Sequence, residues 1–139
     1  MRDLIIVGGG PAGCRLAMLL AKSCDVIVIE EHERIGEPVQ CAGLVSPRCV
    51  DGVTRASILC QIRDFVLHSP SGKELALRSR EPKGIVIDRA KHDSLLAEAA
   101  REKGAEILTE TRATDLAVSG ESVRIALRSA ETRKDLDGH

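Results

Sequence analysis

The sequence predicts an α/β domain: a parallel βαβ sheet with an antiparallel hairpin inserted into it. Three observations predict it. Leu4 to Val7 is an unbroken run of leucine and β-branched residues that passes straight into the glycines of "VGGGPAG" and then into a helical pattern. Val26 to Ile29 is a second such run, and both have the character of strands buried on two faces. After Glu30 the alternation of strand and helix gives way to polar sequence broken by Gly36, Pro38, Gly43 and Pro47, and then to two short alternating segments. A length of 139 residues with 43% apolar content suits one domain with a core of its own.

Taken in order, Leu4 to Val7 is the first strand. Pro11 sits where a helix can begin, because its fixed φ and missing N–H cost nothing in the first turn, and the helix should run to about Lys22. Val26 to Ile29 completes a right-handed crossover, so residues 3 to 30 form one βαβ unit. "EHERIGEPVQCAGLVSPR" reads as a long, structured loop. Ile62 to His68 and Glu74 to Arg78 alternate as a hairpin around "SPSG", outside the parallel sheet. Ile85 to Ile87 is a short strand and Asp88 an N-cap; His92, Leu95, Leu96, Ala99 and Ala100 mark one face of a helix closed by Gly104. Ala105 to Leu108 then gives a second βαβ candidate. Leu116 to Val118 and Val123 to Leu127 form a final hairpin turning at Ser119-Gly120, and the polar "SAETRKDLDGH" carries no further apolar run.

Composition excludes several classes. Lys and Arg total 20 against 21 for Asp and Glu, and a net charge of -1 supplies no field for nucleic acid. Phe65 is the single residue among Phe, Trp and Tyr, so no stacking platform for bases exists. Cys14, Cys24, Cys41, Cys49 and Cys60 form no CxxC pair and have no histidine at zinc-ligand spacing, which points to a reducing cytoplasm and no metal site. No apolar run approaches the ~20 residues of a membrane span, so a soluble chain is expected.

The glycine cluster carries the chemistry. Gly8, Gly10 and Gly13 fill the GxGxxG pattern between a strand and a helix. Gly8 permits the tight turn, Gly10 lets a pyrophosphate approach the backbone, and Gly13 lets helix pack on strand. Glu30 ends the second strand, where a carboxylate accepts hydrogen bonds from an adenosine ribose and repels a 2′-phosphate; Glu31 is a weaker neighbour on the same edge. This is a Rossmann-like dinucleotide fingerprint, which NAD and FAD share. The long loop, the hairpin and the returning strand, helix and strand after Glu30 match a compact NAD domain poorly and an FAD-binding sheet better.

"IGEPVQCAGLVS", together with "VGGGPAG", "VIVIEEH" and "IDRAKHDSLLAEAAREKGAEI", resembles the geranylgeranyl reductase family of flavoproteins, related to the aromatic-hydroxylase-like FAD enzymes. The resemblance runs from Leu4 to about Leu127. It implies an FAD enzyme that takes electrons from a donor such as NAD(P)H or ferredoxin and reduces carbon–carbon double bonds of an isoprenoid, geranylgeranyl chain on a lipid or pigment precursor. Peripheral contact with a membrane would follow from such a substrate. By the same resemblance Gly8, Gly10, Ala12 and Gly13 would hold the pyrophosphate and Glu30 the ribose. Cys41, Ala42 and Gly43 would border the flavin, Arg89 would reach the FAD, and Ala113 would meet the adenine through its backbone.

Read from the residues alone, Cys41 is a space-filler, a proton donor near the flavin or an oxidisable nucleophile, and it is the candidate catalytic residue. A cation at Arg89, in the first turn of its helix, is mildly unfavourable with the dipole unless an anion sits nearby. His92 reads as a helix-face histidine. Family members are more than twice as long, so residues 1 to 139 are expected to be an N-terminal FAD-binding portion without its substrate domain, completed by a missing C-terminal half. Three readings stay open: a reductase, a non-catalytic FAD-binding module, and an inactive relic. An aromatic-hydroxylase-like monooxygenase is the alternative within the enzyme class.

Overall fold

The computed structural model describes residues 2–129 and 133–138. In chain order the elements are β1 (Leu4–Val7), α1 (Pro11–Leu20), β2 (Val26–Ile29), β3 (Leu44–Val45), β4 (Ile58–Ile62), β5 (Phe65–His68), β6 (Glu74–Leu77), β7 (Gly84–Ile87), α2 (Arg89–Glu102), β8 (Glu106–Leu108), β9 (Thr111–Ser119), β10 (Ser122–Ser129) and β11 (Arg133–Gly138). Short 3-10 turns occupy Pro47–Cys49 and Arg55–Ser57.

β2 is the centre of the molecule. It pairs in parallel with β1, Leu4 opposite Val26 through Val7 opposite Ile29, and with β8, Ile27 opposite Glu106 through Ile29 opposite Leu108. Alternate side chains of β2 serve different layers. Val26 and Val28 pack with Ile6, Ala17, Ala100 and Ala105 beneath the helices. Ile27 and Ile29 pack with Ile125 and Leu127 of β10 on the opposite face. All four are at most 1% exposed. At about 1.5–3 kcal/mol for each fully buried aliphatic side chain, these four residues anchor both packed layers.

Both strand runs of the first βαβ unit are therefore found, but β1 is an edge strand and Val7 is 59% exposed, so it is not buried on both faces. α1 ends at Leu20, two residues before the expected Lys22. Asp88 caps α2 through its side chain, which accepts the Lys91 N–H at 3.0 Å. Gly104, at φ 105°, follows the helix in a conformation open to glycine.

The second βαβ unit is corrected. β7 pairs antiparallel with β3 and β4 in a sheet of its own, so β8 returns to β2 and not to β7. The parallel crossover runs from β2 through the whole excursion and α2 to β8. The expected hairpin from Ile62 is also corrected: β5 and β6 pair as Phe65 opposite Leu77 through His68 opposite Glu74, while Ile62 belongs to β4. The final hairpin turns at Gly120-Glu121, with Ser122 opposite Ser119, and starts as early as Thr111. Within the polar tail, Arg133–Gly138 form β11, antiparallel to β10; residues 130–132 and 139 lie outside the described residues. A ladder partner recruits these polar residues into a strand that the apolar pattern does not signal.

Candidate functional site

β1 ends in the glycine turn. Gly8 takes φ 105° and donates its N–H to the Ile29 carbonyl at 2.8 Å, which ties the turn to the end of β2. At Gly13 a Cβ would run into the Gly8 carbonyl oxygen, so this glycine lets α1 pack directly on the turn. Gly10 differs: a Cβ there would meet nothing within 4 Å. It is the N-cap of α1, with no side-chain cap and no acidic residue in the first turn, which leaves the N-terminal N–H groups to an outside anion.

Glu30 closes the other side. Its Oε2 accepts the Gly9 N–H at 2.7 Å, and its Oε1 accepts the His32 N–H at 3.0 Å and faces His32 Nδ1 at 2.6 Å. Burial works to raise this carboxyl, but the N–H groups of His32 and Gly9 and the His32 ring outweigh it and hold the group below its ordinary 4.5. The residue is an anion at neutral pH.

Two grooves meet at Glu30 and His32. One, of about 250 Å³, runs over Gly9, Gly10 and Pro11 and on to Cys41, Arg89 and Asp93. The other, of about 300 Å³, runs over Gly8 and Glu31 to Thr111, Arg112 and Ala113. The structure thus brings Gly10, Glu30, Cys41 and Arg89 into one groove, and Gly8, Glu30, Glu31 and Ala113 into its neighbour. Ala12, Gly13, Ala42 and Gly43 line neither groove. Gly13 is a packing position, and Gly43, at φ 75°, would drive a Cβ into the Ile87 carbonyl oxygen. The Glu31 carboxylate meets Arg112 Nε at 3.3 Å.

At the far end of the first groove Cys41 is exposed. The Gly43 N–H, and after it the Arg89 guanidinium, hold its thiol below the ordinary 9.0. Arg89 donates from Nη2 to Asp93 Oδ2 at 2.9 Å, and this carboxylate raises the arginine further above its already high ordinary value. Asp93 Oδ1 lies 2.9 Å from His92 Nδ1, and both residues are buried. His92 is therefore interior, held by a neighbouring carboxylate. Burial pushes the Cys14 thiol the other way, up to about 11; its Sγ donates to the Gly9 carbonyl at 3.0 Å.

Among the groove residues that escape sequence reasoning are Gly9, His32, Gly36 and Asp93. Gly9 is overlooked because the fingerprint has no slot for it, yet a Cβ there would strike Ile35 Cδ1. Gly36, at φ 86°, brings the loop against the Ala90 backbone. Asp93 had a legible signal, its spacing of four residues from Arg89 on one helix face.

An open backbone at Gly10, an uncapped helix N-terminus and an ionised acceptor between two grooves suit a dinucleotide laid across the edge of β1 and β2. The fold is that of a flavoprotein: the chain belongs to the FAD binding domain family, whose model matches residues 1–137, and FAD is its cofactor. The chain is 33% identical over 129 residues to the digeranylgeranylglycerophospholipid reductase of Methanosarcina mazei, covering 88% of this chain and 32% of that one. A geranylgeranyl bacteriochlorophyll reductase-like structure from Thermoplasma acidophilum superposes with a TM-score of 0.83 at 27% identity, covering 96% of this chain and 36% of that chain. The complex of aklavinone-11 hydroxylase with FAD and aklavinone gives 0.72 at 24% identity over 99% of this chain and 31% of that one, a likeness of fold alone. The resemblance to the geranylgeranyl reductases holds. The chain spans about a third of the length of the reductases it matches. No helix among the described residues is long and apolar enough to cross a membrane.

Proposed function

We propose that this chain is the FAD-binding portion of a reductase of the geranylgeranyl type, acting on carbon–carbon double bonds of an isoprenoid lipid or pigment precursor. The observation that carries the reading is the groove joining the glycine turn to Cys41 and Arg89, in a chain 33% identical to a digeranylgeranylglycerophospholipid reductase. Bound FAD supplies hydride chemistry at such a site. Gly10 and the N–H groups opening α1 hold the pyrophosphate, Glu30 the ribose, and the backbone at Ala113 meets the adenine. Ala12, Ala42 and Gly43 act through the backbone they shape. Arg89, fixed by Asp93, keeps a cation beside Cys41. Cys41, its thiol held below the ordinary value by the Gly43 N–H and Arg89, would hold at Sγ the proton that saturation of a double bond requires, and would regain one from water.

The remaining two-thirds of a reductase-length protein would supply the substrate cavity. The electron donor is a nicotinamide or an iron–sulfur protein. The setting is cytoplasmic, with peripheral contact to the membrane that carries the lipid. The test is anaerobic incubation of the chain, loaded with FAD and reduced with dithionite, with a geranylgeranyl glycerophospholipid. The assay is run alone and with residues of the M. mazei reductase beyond the matched third. Mass spectra should show two hydrogens gained per double bond in the reconstituted mixture. Flavin that binds and reduces, but saturates no double bond in either mixture, refutes the reductase reading and leaves a binding module.

A further inference from the structure

Most of the accepting capacity of Glu30 is already taken. An ionised carboxylate offers about four acceptor positions on its two oxygens. Oε1 receives the backbone N–H of His32 at 3.0 Å and the His32 ring at 2.6 Å, while Oε2 receives the Gly9 N–H at 2.7 Å. Because a carboxylate only accepts, Nδ1 carries the hydrogen in the ring contact. Oε1 is filled, and Oε2 has one position left. Glu31, the neighbouring acid, faces Arg112 and supplies no second acceptor at this spot.

We propose that His32 determines how the adenosine ribose is read: by occupying Oε1 it leaves Glu30 one free acceptor position, so the carboxylate takes one ribose hydroxyl and not both. This rests on the assignment of Glu30 to the FAD ribose. His32 acts through Glu30 and is a positioning residue. Its ring is 45% exposed and lines both grooves, so it stands where the ligand passes from one to the other. Removing the ring opens a second position on Oε1, while the His32 and Gly9 backbone N–H groups still hold the carboxylate in place. The ring's exposure means that little packing is lost with it.

The test is the dissociation constant, read by flavin fluorescence, of FAD and of its two analogues lacking either the 2′- or the 3′-hydroxyl of the adenosine ribose. Each is measured on the wild-type chain, on His32→Ala and on His32→Gln. In the wild type one analogue should bind like FAD and the other about tenfold more weakly, the cost of one hydrogen bond to a charged group. In His32→Ala both analogues should bind about tenfold more weakly than FAD. His32→Gln, whose amide can donate to Oε1, should keep the wild-type pattern. A looser fold would weaken all three ligands alike, and that result overturns the proposal. Equal losses for both analogues in the wild type, or an unchanged pattern in His32→Ala, also overturn it while the FAD reading stands. Wild-type chain that binds both analogues like FAD overturns the ribose assignment itself, and failure to bind FAD overturns the whole reading.

Discussion

Gly13 and Gly10 stand three residues apart in one motif, yet substitution by alanine should break different things. At Gly13 the new Cβ would occupy the space of the Gly8 carbonyl oxygen and press on Ile6 Cγ2. A backbone oxygen in a turn held at φ 105° cannot rotate away, so α1 must lift from β1. Overpacking of this kind costs about 1–3 kcal/mol, here near the upper end, and the helix preference of alanine over glycine returns up to about 1 kcal/mol. A net loss of about 2 kcal/mol lowers the melting temperature by roughly 8 °C in a domain of this size. At Gly10 the Cβ meets nothing within 4 Å, and φ of -70° suits any residue. The weaker N-cap and the stiffer unfolded chain nearly cancel, leaving stability within about 0.5 kcal/mol of wild type. The same methyl, however, would sit on the turn proposed to carry the pyrophosphate. Gly10→Ala should therefore melt like wild type by far-ultraviolet circular dichroism and lose FAD, whereas Gly13→Ala should lose both. A Gly10→Ala chain that keeps wild-type affinity for FAD, or melts as low as Gly13→Ala, refutes the reasoning.

Further outcomes follow from the same geometry. Glu30 has a folded-state pKa below its unfolded value, so it adds stability that is complete above its ordinary 4.5 and lost as pH falls through the folded value. The stability gap between wild type and Glu30→Gln, from urea titrations at several pH values, should narrow as the solution is acidified below 4.5; a gap that widens contradicts the assigned hydrogen bonds. With iodoacetamide at neutral pH, peptide mapping should show Cys41 alkylated first and Cys14, pushed up to about 11, last. Arg89→Ala should slow the Cys41 reaction, and an unchanged rate would remove the guanidinium from the thiol's environment. Asp88→Ala should cost about 1 kcal/mol of stability through the lost α2 cap, measured by urea denaturation, and no loss would deny the cap its role.

What was legible in the sequence is what rests on local pattern. β2 reads as a fully buried strand because each of its four residues meets a packed layer, and Asp88 reads as a cap because its carboxylate bonds three residues on. The glycine fingerprint is legible for the same reason, since steric exclusion at Gly13 and a positive φ at Gly8 are demands that few other residues meet. Pairing partners were not legible. Ile85 to Ile87 look equally like a strand whether they join β2 or β3 and β4, because register and neighbour are settled by distant residues. β11 carries no apolar pattern at all, and only its ladder with β10 makes it a strand. Within the candidate site, the spacing of Glu30 singles it out in the sequence and the structure places it where the two grooves meet, whereas His32 and Asp93 grip another side chain, a relation that one sequence does not display.

The central claim is that two grooves meeting at Glu30 hold one FAD. Its most direct test is the flavin content of the purified, folded chain, read as visible absorbance with mass identification of the released cofactor, before and after addition of FAD. Phe65 is the sole aromatic among Phe, Trp and Tyr, so the protein adds almost no near-ultraviolet background. One equivalent of FAD per chain, absent from Gly10→Ala, is the predicted result. A chain that melts cooperatively yet takes up no FAD at excess ligand would contradict it.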